Sequence, residues 1–264
     1  MGWVEAVVLG LVQGLTEFLP ISSSGHLLIV PDVFGWDDPG ASFTAIIQLG
    51  TMAAVLGYFR HDLAKIFAGA WAGIRDKSRR DTVEMRLFTM VAIGTVPISI
   101  FGLLFSDQIE TSARNIKLTA AALIIFGLVM EAADRLGPQR RKVEDITVTR
   151  GVLVGFAQSL ALIPGVSRSG STITMGRILG FERQAAARYS FLLSIPAVVL
   201  SGTYSLKDVG HGVEIGPTIV ATIVAFISGW AAIAFLLDYL GKHGMTVFTA
   251  YRVVVGVLIL LFLA

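Results

Sequence analysis

The sequence predicts an all-α polytopic membrane protein: about six transmembrane helices plus two re-entrant helical hairpins, folded as one domain with an inverted-topology repeat. Three observations lead there. Of 264 residues 54% are hydrophobic and 15% charged, and mean hydropathy is +0.74, too apolar for a soluble chain of this length. Charge-free runs at residues 39–59, 87–106, 189–206 and 215–237 each approach the roughly 20 residues that cross a hydrocarbon core. A shift of 145 residues lays Gly10, Gln13, Leu15, Ser22, Ser24 and Gly25 onto Gly155, Gln158, Leu160, Ser167, Ser169 and Gly170, and the register continues without a gap into 34–37 against 179–182.

Segment 3–34 is expected to form the first hairpin. Pro20 removes a helix donor and forces a break, and the Ser and Gly residues after it suit a loop and a new helix N-cap. The apolar stretch contains Gln13 and Glu17 and has no basic region before it, so a removable signal peptide is not expected. A span at 39–59 follows, then a connection carrying Arg60, Lys65, Arg75, Lys77, Arg79, Arg80 and Arg86, then a span at 87–106. Beyond a short loop around Asp107 to Lys117, a third span is expected at about 116–134, with Lys117, Glu131 and Asp134 at its edges. The next connection is again basic, with Arg135, Arg140, Arg141, Lys142 and Arg150, so both basic connections read as cytoplasmic and share a side.

Segment 150–180, interrupted by Pro164, is the expected second hairpin, followed by spans at 189–206, 215–237 and about 246–264. Arg252, inside the last, reads as snorkelling to the cytoplasmic interface. Three spans in each half, approximately 1–135 and 146–264, turn the second copy upside down, so the hairpins enter from opposite sides. Broken backbone at membrane depth is tolerated only where protein or a wet cavity satisfies it, which marks both loops as the site.

Absence of cysteine excludes disulfides, thiolate zinc sites and cysteine nucleophiles, and a net charge of +2 gives no reason to expect a nucleic-acid partner. His61, His211 and His243 read as inert loop residues, and Gln48 as a helix–helix hydrogen bond within its span, with a supporting place beside the site as the alternative. The sequence leaves a homodimer open.

The chemistry concentrates in the two loops. Gln13 and Glu17, four residues apart, share a helix face, and a buried ionised Glu17 requires a polar cavity or a cation. Ser22, Ser23, Ser24 and Gly25 should form the first turn of a half-helix, whose free amides bind anions, with Ser23 and His26 three residues apart. In the second loop Ser167, Ser169, Gly170, Ser171 and Thr172 repeat the cradle around Arg168, whose planar fork suits phosphate. An ion pair between Arg168 and Glu17 is the competing reading. A phosphate beside Glu17 calls for a divalent cation, Mg²⁺ or Ca²⁺, with Glu17 and Gln13 as oxygen ligands. Ser23 or His26 would attack phosphorus or activate the attacker, and the residues do not choose between them.

The stretch Gln13-Gly-Leu-Thr-Glu17-Phe-Leu-Pro-Ile-Ser-Ser-Ser-Gly-His26 and the stretch Pro164-Gly-Val-Ser-Arg-Ser-Gly-Ser-Thr172 closely resemble the two signature motifs of the undecaprenyl pyrophosphate phosphatase family of bacteria, also called the bacitracin-resistance protein. The resemblance covers essentially the whole chain, including Gly94-Thr-Val-Pro97 and Arg188-Tyr-Ser-Phe191. It implies a phosphatase that removes the terminal phosphate of undecaprenyl pyrophosphate, regenerating the monophosphate carrier for peptidoglycan, with a polyisoprenyl pyrophosphate as substrate. It also implies a multi-pass protein of the bacterial inner membrane with an outward-facing site, in which Ser23, His26 and Arg168 match the family's serine, histidine and arginine. Where the family's acidic pair begins with Glu or Gln, this chain has Gln13, leaving Glu17 as the certain carboxylate. The Ser-Gly-His triplet is also similar to type 2 phosphatidic acid phosphatases, but their other motifs are missing. A secondary transporter or flippase of a phosphate-bearing lipid is the alternative, because inverted repeats with broken helices are also transporter architecture.

Overall fold

The computed structural model describes residues 1–105, 108–109, 115–205 and 214–263. His211 and most of the loop expected around 107–117 lie outside the described residues. Eleven α-helices account for most of the described chain. The first hairpin is α1 (Trp3–Phe18) and α2 (Ser23–Phe34), followed by α3 (Gly40–Tyr58), α4 (Arg60–Arg75), α5 (Val83–Leu104) and α6 (Ile116–Leu136). The second hairpin is α7 (Val148–Ser159) and α8 (Arg168–Ile178), followed by α9 (Arg183–Ser205), α10 (Ile215–Lys242) and α11 (Thr246–Phe262). The protein is an all-α, multi-pass membrane protein, with a helix at each of the six ranges expected to cross. By length and composition α5, α6 and α10 each suffice alone, and α3 with α4 makes a further candidate.

The exterior explains the hydropathy. Ile125, Leu128, Ile227 and Phe235 stand more than half exposed on the flanks of long helices, while the polar groups turn inward. That is the reverse of a soluble bundle and is what lipid as solvent requires.

Each hairpin is too short to cross. At a rise of about 1.5 Å per residue the 16 residues of α1 extend roughly 24 Å, and α2, α7 and α8 are shorter. The breaks are alike in backbone. Ser22 (φ 77°) and Ser167 (φ 73°) are the non-glycine residues of positive φ among those described, and each caps the second half-helix of its hairpin. The hairpins also end alike, on Gly35 (φ 66°) and Gly180 (φ 85°). Both pairs fall on the 145-residue shift.

Helix pairing follows the same exchange. α1 packs on α10 and α7 on α5, while α3 lies beside α9 and α6 beside α11. At both hairpin contacts a glycine permits the approach: a Cβ on Gly10 would collide with the Ala221 carbonyl, and one on Gly155 with that of Gly94. Phe18 at the end of α1 sits edge-on to Phe191 of α9 (centroids 5.4 Å apart), with Phe59 next to it, and this aromatic group holds the first tip against α9.

Three expectations need correction. The first basic connection is largely helical: α4 turns 72° from α3 and lays Ile66, Ala70 and Gly73 inward, a spacing that keeps one face on the bundle. His61 therefore belongs to a helix rather than a loop. Arg252 does not snorkel; it is completely buried, for the reason given below.

At the base of the second hairpin, buried Asp134 of α6 gathers four elements. Its Oδ1 accepts from Arg177 Nε of α8 (2.9 Å) and Arg183 Nε of α9 (2.8 Å), and its Oδ2 from the Met245 amide before α11 (3.1 Å).

Candidate active site

A broken helix leaves carbonyls without their i+4 donors, and within a membrane something else must supply them. Arg252 of α11 does so for both breaks at once. Its Nη1 donates to Pro20 O in the first loop (3.1 Å), and its Nη2 to Gly165 O and Val166 O in the second (both 3.0 Å). Its Nε donates to Leu123 O of α6 (3.2 Å). Gly170 provides the space, since a Cβ there would lie 2.9 Å from Nη1. Ser169 Oγ adds a direct bond to Leu19 O (3.1 Å), so the two tips are tied face to face.

This brings Glu17 and Arg168, 151 positions apart in sequence, to 2.6 Å (Nη2 to Oε1), an ion pair with side chains only 6% and 15% exposed. Both readings of Arg168 therefore bear on one atom group: its guanidinium fork points into the shared site and, in the described arrangement, holds the Glu17 carboxylate. The other oxygen, Oε2, accepts a 2.6 Å bond from Ser23 Oγ and a 3.1 Å bond from Gln13 Nε2. Gln48 Nε2 of α3 reaches Oε1 at 3.4 Å. Its bond is between helices, as expected, but the acceptor is the central carboxylate, which places Gln48 in the site. Arg168 Nη1 is steadied by Ser194 O of α9 (3.3 Å).

Both half-helix N-termini begin here. In α2 the Ser22 side chain makes no cap bond and meets Ser24 Oγ instead (3.3 Å), so among the described contacts the amides of Ser23, Ser24 and Gly25 carry no partner. In α8 Ser167 Oγ accepts the Gly170 amide (3.1 Å), which leaves the amides of Arg168 and Ser169. Open first-turn amides beside a guanidinium are the kind of donor set that suits an anion. Ser171 and Thr172 are set back from it: both are buried, with hydroxyls turned onto Arg168 O (3.0 and 2.8 Å), and Thr172 also meets Ser190 Oγ (2.6 Å). They shape the turn that presents Arg168.

His26 makes its hydrogen bonds to groups other than Ser23. Its Nδ1 lies 2.7 Å from Ser22 O, which can only accept, so Nδ1 carries the proton. Nε2 of the neutral ring then accepts from Tyr251 OH of α11 (2.6 Å), whose ring stacks on the imidazole with centroids 5.5 Å apart. No hydrogen bond joins His26 to Ser23 or Glu17 among the described residues.

As a metal site the cluster is lean. No group of three or more His, Cys, Asp or Glu exists among the described residues. Glu17 is the single carboxylate, accompanied by hard oxygens on Gln13, Gln48 and Ser23.

With this geometry in view, comparison with known proteins is decisive. The family model for bacitracin resistance protein BacA matches residues 6–258. The chain belongs to the BacA family. Similar curated proteins include one named undecaprenyl-diphosphatase from Mycobacterium sp. (strain KMS), 53% identical over 270 residues and covering 100% of this chain and 98% of its own length. Proteins of the same name from Kineococcus radiotolerans (54% identical; 98% of this chain, 93% of its own) and Thermobifida fusca (49% identical; 98% and 90%) are similar throughout. In this BacA family member, sequence reasoning missed the places of Tyr251 and Arg252 and gave the site only as the alternative for Gln48. The available signal for Arg252 was that an ionisable residue in an apolar span is by default functional.

Proposed function

We propose that the protein is a membrane phosphatase that hydrolyses undecaprenyl pyrophosphate to undecaprenyl phosphate and inorganic phosphate, recycling the lipid carrier for peptidoglycan synthesis and conferring bacitracin resistance. Full-length similarity to proteins named undecaprenyl-diphosphatase supports the substrate. The observation that carries the chemistry is the 2.6 Å bond from Ser23 Oγ into Glu17 Oε2, a nucleophile already delivering its proton to a base.

The terminal phosphate docks on the open amides of α2 and α8 and on Arg168. Phosphate oxygens compete with Glu17 for the guanidinium, and as Arg168 turns to them the carboxylate becomes free to take a proton. Ser23 Oγ attacks the terminal phosphorus, its proton passes to Glu17 Oε2, and the bond to the bridging oxygen breaks, releasing undecaprenyl phosphate. Glu17 gives up that proton to solvent, then deprotonates the water that hydrolyses the phosphoserine and passes the water's proton to Ser23 Oγ as inorganic phosphate leaves. His26, locked between Ser22 and Tyr251, orients the turn that carries Ser23.

A divalent cation, Mg²⁺ or Ca²⁺, suits the donor set, with Glu17, the amide oxygens of Gln13 and Gln48 and the substrate phosphates as hard ligands. When bound it supplies charge neutralisation on the pyrophosphate. The basic connections support a site facing the outside of the cytoplasmic membrane, and the paired breaks and exchanged helix contacts support reading 1–135 and 146–264 as diverged copies. Transport needs binding groups alone; a serine hydroxyl donating to a buried carboxylate serves bond cleavage.

The test is phosphate release from undecaprenyl pyrophosphate by purified protein with Mg²⁺, comparing wild type with Ser23→Ala. Wild-type turnover that Ser23→Ala abolishes, with a phosphoserine trapped at Ser23, is expected. A folded wild type that releases nothing overturns the phosphatase reading.

A further inference from the structure

Outside the catalytic cluster, the basic end of the bundle holds a second cavity, of about 620 Å³, with four arginines in its wall: Arg86, Arg140, Arg141 and Arg150. Two carboxylates, Glu144 and Asp145, share it, yet among the described residues neither is ion-paired with any of the four. Asp145 Oδ2 is taken up by the Lys142 amide (2.8 Å). The arginines lean instead on main-chain carbonyls: Arg86 Nη2 on Glu144 O (3.3 Å), Arg150 Nη1 on Asp145 O (2.7 Å) and Arg141 Nη1 on Leu179 O. The Arg140 guanidinium has no protein partner among the described residues, and Arg86 Nε is buried without one.

Four arginines against two carboxylates leave the cavity wall net positive, which favours an anion there. Guanidinium forks match the oxygens of a phosphate in both geometry and charge. The surroundings indicate where such a phosphate comes from. Exposed Leu136 and Val148 lie two residues from Pro138 and Arg150 in the cavity wall, and exposed Ile178 adjoins Leu179, whose carbonyl holds Arg141. Apolar side chains around a basic cavity at a bundle end are suited to acyl chains beside a headgroup, on the side where the leaflet is anionic.

We propose that this cavity binds the phosphate group of an anionic phospholipid and thereby braces the 137–150 connection against the base of the second hairpin. The bracing path is present: the amides of Arg140 and Arg141 bond Gly180 O (3.1 and 3.0 Å), and Glu182 N bonds Arg141 O (2.8 Å). Free phosphate offers the same chemistry, so the test has an arm for each source.

Full-length, delipidated protein in detergent is titrated with cardiolipin, with phosphatidylcholine and with inorganic phosphate, followed by thermal unfolding and native mass spectrometry without turnover. Cardiolipin is expected to stabilise the protein and remain bound where phosphatidylcholine does not. In the double variant Arg140→Gln, Arg150→Gln its affinity should fall about 30-fold. If the double variant does not fold, Arg140→Gln alone, which removes no protein contact, should weaken binding about fivefold. Stabilisation by inorganic phosphate that these substitutions abolish assigns the site to the free anion. Cardiolipin and phosphate responses equal in wild type and variants overturn the proposal.

Discussion

Replacing Arg252 with methionine tests whether the clamp between the two loops sets the active site. Methionine keeps much of the side-chain volume but removes four N–H···O bonds of 3.0–3.2 Å to Pro20, Leu123, Gly165 and Val166, besides a long one of 3.4 Å to Ala122. Charge-assisted hydrogen bonds contribute about 1.5–3 kcal/mol each, so the gross loss is roughly 6–12 kcal/mol. Several kcal/mol return because a fully buried guanidinium, with no carboxylate partner among the described residues, no longer has to be desolvated. A net destabilisation of about 3–5 kcal/mol remains. The kinetic effect should exceed what stability alone explains, because Ser23 and Arg168 sit just beyond the clamped segments and a displacement of 1 Å costs about 10²-fold. Phosphate release by detergent-purified Arg252→Met, assayed well below its unfolding temperature, should therefore fall at least about 100-fold in kcat. Arg252→Lys should not rescue it, since a single ammonium cannot reach carbonyls on both loops. Wild-type kcat in a folded Arg252→Met protein would refute the clamp.

Glu17→Gln should lower kcat by about 10²–10⁴-fold without unfolding the protein, the usual range for a lost general base; phosphate release together with a melting curve checks this. Tyr251→Phe removes only the hydroxyl that holds His26, equivalent to one hydrogen bond near 1 kcal/mol, so kcat should drop about fivefold. A loss in Tyr251→Phe as large as that in Ser23→Ala would move the nucleophile's role to His26. Asp134→Ala strands the buried Arg177 charge and should destabilise by about 3–5 kcal/mol in thermal unfolding while leaving the site's own groups in place. Chelation with EDTA should abolish phosphate release and added Mg²⁺ restore it; full activity in chelator would remove the cation from the mechanism.

Much of this arrangement was legible in the sequence because it rests on local signals. Charge-free runs marked the long helices, and the prolines with a self-match at fixed shift marked both breaks. The spacing of Gln13, Glu17 and Ser23, read beside Arg168, marked the cluster. What escaped depended on tertiary contact. Gln48 looked like an ordinary interhelical amide because nothing in α3 reveals that Glu17 lies opposite. Arg252 looked like a snorkelling residue because its partners are carbonyls, which every residue carries and no sequence advertises. The helical character of α4 was hidden because its inward face is narrow, Ile66, Ala70 and Gly73, and lies within a charged stretch. The partners of His26 could not be seen from its i, i+3 spacing to Ser23, since Tyr251 lies 225 positions away in sequence.

The position of Arg252 also bears on how the protein is made. It is the last of the site residues to leave the ribosome, 87 positions after Gly165, a delay of roughly 4–17 s at ~5–20 residues per second. The carbonyls of Pro20, Gly165 and Val166 therefore gain the donor that ties the two breaks only after every other part of the site has been made.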